Sequence, residues 1–453
     1  MEEYMRTMVF RTHQKVVVVI YLVFCLFSSV FAYSGGSGIE ADPYQIATVS
    51  DWNDLMKTSS HWTKYFIMTA DVNLLGVALT PVGTSGTNFT GVFDGNEHII
   101  YNADMNKPTT DYVGLFGRVG TAGQIHNLGI EGINIKGRSY VGGLAGGNYG
   151  NITDCFAAGA VSGSSTYVGG LVGRNSGTIS GCYTVIIVTG SNNYVGGLAG
   201  NNTGTIQLCY AAGSVKGSGN VGGLTGIDSG DITSCYATGA VKGNSYVGGF
   251  AGSQSGGTVD ICYSAGAVDG NSNVGGFLGS KSSGSVSSCF WDVNTSGRAT
   301  SAGGTGKTTA EMKTLSTFTL EGWDFFGELE NGYLDTWRMC VDGMYYPKLY
   351  WQFSPTDFAC PDGVGLEELL ALCEQWLLEK LSADLKPDGI VNFLDWAVFA
   401  SGWQGDMNEL ADFTPQWLEQ GAYSADIAPA PDGDGIVNML DFAAFADDWL
   451  EGI

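Results

Sequence analysis

Proline, histidine and basic residues are scarce in this sequence. Its 453 residues include 10 prolines, 4 histidines and 20 lysines and arginines, against 45 aspartates and glutamates. The formal net charge of -25 disfavours contact with phosphate backbones and anionic lipid surfaces. We therefore expect no nucleic-acid partner.

Signatures of catalysis are absent from the sequence as well. It contains no His-Glu-x-x-His helix of a zinc peptidase, no Gly-x-Ser-x-Gly nucleophile elbow and no Cys-x-x-Cys pair of a zinc site. We therefore predict no catalytic residues, no organic cofactor site and no enzyme activity.

Long hydrophobic runs are confined to the N-terminus. Arg6, Arg11 and Lys15 precede an apolar run at residues 16–27, and Ala32 is a small residue suited to cleavage. An uncleaved anchoring helix is disfavoured because this run is shorter than the ~20 residues that span a bilayer. Residues 1–32 are therefore predicted to be a secretory signal peptide, with the mature chain at the cell surface or outside the cell and without a membrane span.

Glycine is abundant, with 69 residues, and much of it belongs to an internal repeat. A Tyr-Val-Gly-Gly-Leu block and a later cysteine recur every 26 or 27 residues. The repeat valines are Val141, Val168, Val195, Val221, Val247 and Val274, and the cysteines are Cys155, Cys182, Cys209, Cys235, Cys262 and Cys289. Such a period indicates a solenoid.

Each repeat contains three short strand-like segments separated by Gly, Ser and Asn turns. Repeats of this size bury their apolar faces only by stacking, so we predict a mainly β fold, a right-handed parallel β-helix. The stack is expected at residues 112–290, between a cap with irregular coils at 33–111 and a second cap at 291–353. The inward row is predicted to be Leu144, Leu171, Leu198, Leu224, Phe250 and Phe277.

Three further columns follow from the repeat. The cysteines are expected to be free and buried, since stacked side chains in register point the same way rather than toward each other. Turn amides are expected to hydrogen-bond along the stack; these are Asn148, Asn175 and Asn202, continued by Asp228 and Gln254. A line of tyrosines is expected to be exposed; these are Tyr140, Tyr167, Tyr194 and Tyr246.

The C-terminal segment has a different character. Residues 351–453 carry 20 acidic residues and two lysines. Apolar residues from position 364 onward follow helical spacing. Residues 390–395 recur as 436–441, which indicates two loop-helix units in a small α-helical module at residues 354–453.

The sequence resembles two families. The Tyr-Val-Gly-Gly-Leu repeat is similar to the GLUG repeat of bacterial surface and secreted proteins, which implies an extracellular scaffold and no particular reaction. The tail resembles a type I dockerin, which implies calcium and a cohesin-like or other extracellular protein partner.

The duplicated tail loops approximate the Asp-x-Asn/Asp-x-Asn/Asp-Gly pattern that surrounds calcium with oxygen ligands. Lys386 occupies one ligand position of the first loop, and the second loop is enlarged around Pro429 and Pro431, so one or both sites are weakened relative to the pattern. Degenerate acidic loops that only cap helices are the alternative. The predicted metal ligands are Asp384, Asp388, Asn392, Asp395, Asp426, Asp432, Asp434, Asn438 and Asp441.

These features favour a non-catalytic repeat protein for adhesion or extracellular assembly that docks through calcium. Two alternatives stay open. A dockerin-bearing polysaccharide hydrolase or lyase needs paired carboxylates, for which Asp228 and Asp231 are the nearest candidates, and carbohydrate would then bind the solenoid. A purely structural surface protein with a vestigial tail needs no metal.

Overall fold

A computed structural model describes residues 33–326 and 335–353. These residues fall into two compact units that divide between Gly306 and Lys307. The first unit is a parallel β-solenoid of about eight turns. The predicted mainly β fold and parallel solenoid are confirmed; the right hand of the coil stays a prediction, favoured because parallel crossovers almost always have it.

The first sheet of the solenoid has 15 strands and contributes two segments of each coil. Its strands are Tyr44–Ile46, Tyr65–Met68, Val92–Asp94, Phe116–Val119, Gln124–His126, Ala145–Asn148, Asn151–Thr153, Val172–Asn175, Thr178–Ser180, Ala199–Asn202, Thr205–Gln207, Thr225–Asp228, Asp231–Thr233, Ala251–Asp260 and Leu278–Ser287.

The second sheet has 14 strands and the third has five. The second sheet comprises Val72–Asn73, Ile99–Tyr101, Asp104–Asn106, Gly129–Gly137, Phe156–Gly163, Tyr183–Gly190, Tyr210–Ala211, Val215–Lys216, Tyr236–Ala237, Val241–Lys242, Tyr263–Ser264, Val268–Asp269, Phe290–Asp292 and Thr305–Lys307. The third comprises Val168–Gly169, Asn193–Gly196, Gly219–Gly222, Ser245–Gly248 and Ser272–Gly275.

Parallel pairing keeps equivalent residues of successive repeats side by side. Val168 lies opposite Val195, which is one repeat further along the chain. This register places the predicted inward row in the core: all six leucines and phenylalanines are at most 1% exposed. The six repeat cysteines are also buried and free, as predicted. Burial raises the pKa of four of these thiols, Cys155, Cys182, Cys209 and Cys262, well above the usual value, so the environment makes these four unreactive.

Helix Val49–Lys57 packs at the N-terminal part of the stack. Thr48 accepts a hydrogen bond from the Asp51 backbone N–H, and the Asp51 carboxylate accepts one from the Thr48 backbone N–H, so the helix begins with a capping box. The Trp52 ring meets Phe93 and Phe116 edge to face at 5.9 and 6.2 Å. This helix therefore contributes apolar rings to the solenoid core.

A short helix, Val293–Ser296, follows the strand Phe290–Asp292, and a 3-10 helix spans Ser59–His61. The second unit contains helix Ser316–Thr319, 3-10 helices Glu311–Lys313 and Tyr350–Gln352, and the antiparallel pair Trp337–Arg338 and Lys348–Leu349. None of the helices in the two described ranges is long and apolar enough to cross a membrane. The signal peptide at 1–32 and the module at 354–453 lie outside these ranges and stay predictions.

Candidate interaction surface

A groove of about 590 Å³ lies on the solvent side of the second sheet. It crosses four coils, in which one small or apolar residue precedes each buried valine and one polar residue follows it. The lining residues are Ile187, Val188, Thr189, Ser214, Val215, Lys216, Ala240, Val241, Lys242, Ala267, Val268, Asp269, Thr295, Ser296 and Gly297.

Strand register aligns the groove in rows. Val188, Val215, Val241 and Val268 pair in sequence across the coils. The residues just before them form a floor of Ser214, Ala240 and Ala267, whose side chains are small. The residues just after them form a polar wall, which consists of Thr189, Lys216, Lys242 and Asp269.

The apolar end of the groove arises from one departure from the repeat. Ile186 stands where four other coils have Gly159, Gly213, Gly239 and Gly266. Its side chain points into the core and is 1% exposed, whereas its neighbours Val185 and Ile187 are 51% and 61% exposed. Adjacent exposed apolar side chains beside a groove are typical of a binding surface.

The polar wall contains one exposed ion pair. Lys242 Nζ lies 2.6 Å from Asp269 Oδ2, and both side chains are about two-thirds exposed. The hydrogen bond and charge of each partner raise the pKa of Lys242 and lower that of Asp269. Exposed ion pairs contribute little to stability. These charges are therefore free to serve recognition.

A column of tyrosines directly precedes the valines of successive repeats. The rings of Tyr112, Tyr140, Tyr167 and Tyr194 stack at centroid distances of 4.4, 4.9 and 5.0 Å. Their φ angles lie between 55° and 68°, a region that bulky residues rarely adopt. The stacked tyrosines therefore have a left-handed backbone conformation that asparagine adopts more readily, and Asn220 has this conformation in the same column.

The prediction of an exposed tyrosine line is wrong for most of its members. Tyr140, Tyr167 and Tyr194 are half-buried because each ring covers the face of the next. Tyr246 alone of the four is exposed, at 39%, since Asn220 and Asn273 replace the rings on either side. Ring faces that cover each other cannot stack on sugars, so this column does not form a continuous carbohydrate platform.

The carboxylates weighed for catalysis do not form a pair at the surface. Asp228 is fully buried in the amide column, whereas Asp231 is exposed. Across the described residues, no group of three histidine, cysteine, aspartate or glutamate side chains could hold a metal ion. The predicted calcium ligands, Asp384 to Asp441, all lie outside these residues and stay predictions.

Comparison with known proteins places the repeat in a recognised group. Residues 137–162 match the family model described as the GLUG motif. The chain carries a GLUG motif at these residues. This match confirms the first resemblance, and the dockerin resemblance stays a prediction.

Two curated proteins are similar to part of this chain. Halomucin from Haloquadratum walsbyi is 30% identical over 139 residues, which cover 29% of this chain and 2% of that protein. A protein described as a Gly-rich membrane protein from Evansella cellulosilytica is 31% identical over 150 residues, which cover 30% of this chain and 17% of that protein. The chain therefore matches only a small part of either relative's length.

A solved structure described as an immunoglobulin A1 protease from Bacteroides ovatus also resembles this chain. The TM-score is 0.49 at 19% identity, and the match covers 71% of this chain and 96% of that chain. Nothing about activity follows from similarity at this level.

Repeat reasoning missed the groove, although the sequence contained a signal. Residues 185–187 read Val-Ile-Ile where the neighbouring coils read Ala-Gly-Ala, Ala-Gly-Ser and Thr-Gly-Ala. The signal is therefore a difference between aligned repeats, whereas the repeat period depends only on the residues that the repeats share.

Proposed function

We propose that the protein acts at the cell surface or outside the cell as a non-catalytic repeat protein in adhesion or extracellular assembly. The observation that carries this proposal is the groove, which is lined by exposed Ile187 and a charged wall and has exposed Val185 beside it in the same strand. The names of the two relatives, halomucin and a Gly-rich membrane protein, support a surface setting.

Two observations support export. The N-terminal segment 1–32 has the layout of a signal peptide. Cys340 is disulfide-bonded, and such bonds persist mainly in oxidising compartments. The six repeat thiols are compatible with this setting because they are buried from oxidants.

The groove is tested by making its apolar end polar. We expect the double variant Val185→Ser and Ile187→Thr of the full chain to bind envelopes of the producing cells about ten-fold more weakly or worse, since anchors of an interface carry most of its energy. Sedimentation of the protein with the envelopes measures this binding. The melting temperature should change little because both side chains are exposed.

Leu75→Ser is the matched control for this variant. Leu75 is 74% exposed and lies outside the groove, so its loss removes a comparable apolar surface elsewhere. Equal loss of binding in both variants would assign the effect to general hydrophobicity, and unchanged binding of the groove variant would rule the groove out as the contact surface.

We further propose that the tail docks to an extracellular protein, such as a cohesin-like module, in a calcium-dependent way. Titration of calcium into the full chain should give a dissociation constant of about 10⁻⁴ M or tighter. The double variant Asp388→Ala and Asp434→Ala should lose this binding because it removes a predicted ligand from each loop. Isothermal titration calorimetry measures both proteins, with Asp269→Asn as a control on the solenoid.

Absence of calcium binding by the wild-type chain would favour the purely structural protein with a vestigial tail. Binding that survives in the double variant would instead place the metal at other residues. The carbohydrate-active alternative has less support. Its candidate carboxylate pair is Asp228 and Asp231, and Asp228 is buried, so the two side chains do not face a substrate together.

A further inference from the structure

A ladder of buried amides runs along the first sheet. The Asn148 Nδ2 group donates to Asn175 Oδ1 at 2.9 Å, Asn175 Nδ2 donates to Asn202 Oδ1 at 2.8 Å, and Asn202 Nδ2 donates to Asp228 Oδ1 at 2.8 Å. All four side chains are 0% exposed. Each asparagine therefore accepts from one coil or turn and donates to the next coil, as the sequence predicts.

The ladder changes chemistry at Asp228. An ionised carboxylate has no proton to donate to the next coil, where Gln254 lies opposite Asp228 in the strand register. Among the described residues, Asp228 Oδ2 has no hydrogen-bond partner, and neither has Gln254 Oε1. Two buried acceptors are thus left unsatisfied in directly paired residues of adjacent coils.

Hydrogen bonds from its Nε2 group fix the orientation of the Gln254 side-chain amide. Its Nε2 group donates to the Ser285 carbonyl oxygen at 2.9 Å and to the Gly256 carbonyl oxygen at 3.3 Å. Rotating the amide would point its oxygen at these carbonyls. Gln254 Oε1 therefore has to remain an acceptor, and a single proton on Asp228 would satisfy both orphaned oxygens.

We propose that Asp228 is a neutral carboxylic acid in the folded protein up to about neutral pH, and that its Oδ2–H group donates to Gln254 Oε1 to continue the ladder. Loss of this proton above neutral pH leaves a buried charge facing an acceptor. The contact between these two coils is then weakened, which makes this point of the solenoid sensitive to pH.

The electrostatic surroundings agree with this assignment. Burial raises the pKa of Asp228 to about 7, against the hydrogen bonds from Asn202 and the Gly230 backbone, and Asp231 raises it further. The titratable groups on the strands packed around Asp228 are Asp231, Asp260 and Tyr194. None of these strands carries a lysine or arginine that would favour the ionised form.

The sign of the pH dependence follows from the raised pKa. An unfolded aspartate has its ordinary pKa of 3.8, whereas burial raises the pKa of the folded Asp228 to about 7. The contribution to stability is therefore complete below the lower value and declines as the pH rises toward the higher one. Asp228→Asn places in this coil the amide that Asn148, Asn175 and Asn202 supply in theirs, so it should restore the ladder without a titratable proton.

The test compares wild type, Asp228→Asn and Asp231→Asn over about pH 4 to 8. The folding equilibrium constant of wild type relative to Asp228→Asn should fall on the order of a hundred-fold or more over this range. The ratio of the folding constants of wild type and Asp231→Asn should show no such fall, because both proteins keep Asp228 and because Asp231 is exposed. Denaturant titrations followed by circular dichroism measure these ratios.

Infrared spectroscopy supplies a readout that does not depend on folding of a variant. The wild-type chain should show a protonated carboxyl band that persists at about pH 6 and is lost with a midpoint near 7. The band should be missing from Asp228→Asn and present in Asp231→Asn. A wild-type spectrum without this band at about pH 6 would overturn the proposal, as would identical pH dependence of wild type and Asp228→Asn.

Discussion

Replacing Gly223 by alanine is expected to separate two coils of the solenoid. A Cβ atom at this position would lie 2.1 Å from the Gly249 carbonyl oxygen in the next coil, and the same contact recurs at 2.0 Å between Gly197 and Gly223. Real Cβ atoms do not approach backbone oxygen this closely, so one of the coils has to shift. We expect a loss of about 3 kcal/mol or more in the free energy of unfolding.

Thermal denaturation followed by circular dichroism measures this loss, with Gly86→Ala as the control. A Cβ atom on Gly86 would have Thr84 Oγ1 as its nearest neighbour, at 3.9 Å, so this substitution should change stability by about 0.5 kcal/mol at most. Equal melting temperatures for Gly223→Ala and wild type would contradict the close packing of the coils at this corner.

Those features of the fold that depend on the repeat period were predictable from the sequence. Once equivalent residues are known to stack, the inward row that contains Leu144 and Phe277 must form a core column, and the amides at Asn148 and Asn175 must meet. The glycine pairs permit close approach of the coils, as the short Cβ distances at Gly223 show.

The candidate site was less predictable because it depends on differences between coils. Sequence spacing does not tell whether neighbouring tyrosines face solvent or cover each other, so the exposure of Tyr140 and Tyr167 was misjudged. The groove requires Ile186 to turn inward and thereby leave Val185 and Ile187 outside. The inward position is glycine in neighbouring coils, so the period alone gave no reason to place an isoleucine side chain there.

The same column logic makes Phe250 a sensitive point of the core. Phe250 and Phe277 are both 0% exposed, and their rings stack at a centroid distance of 4.6 Å with an interplanar angle of 13°. Phe250→Ala would remove one ring from a close-packed row and leave a cavity between coils. We expect a loss of about 3 to 5 kcal/mol in the free energy of unfolding.

Phe250→Leu is the matched control, because Leu224 fills the same position one coil earlier. This change keeps most of the buried volume and should cost less than about 1.5 kcal/mol. In a solenoid each coil is stabilised mainly by its neighbours, so hydrogen exchange in Phe250→Ala should accelerate most in the strands Ser245–Gly248 and Ser272–Gly275. Uniform acceleration of exchange over the whole solenoid would show instead that its coils unfold as one cooperative unit. An equal loss of unfolding free energy in Phe250→Ala and Phe250→Leu would show that the stacked rings, rather than the filled volume, stabilise this row.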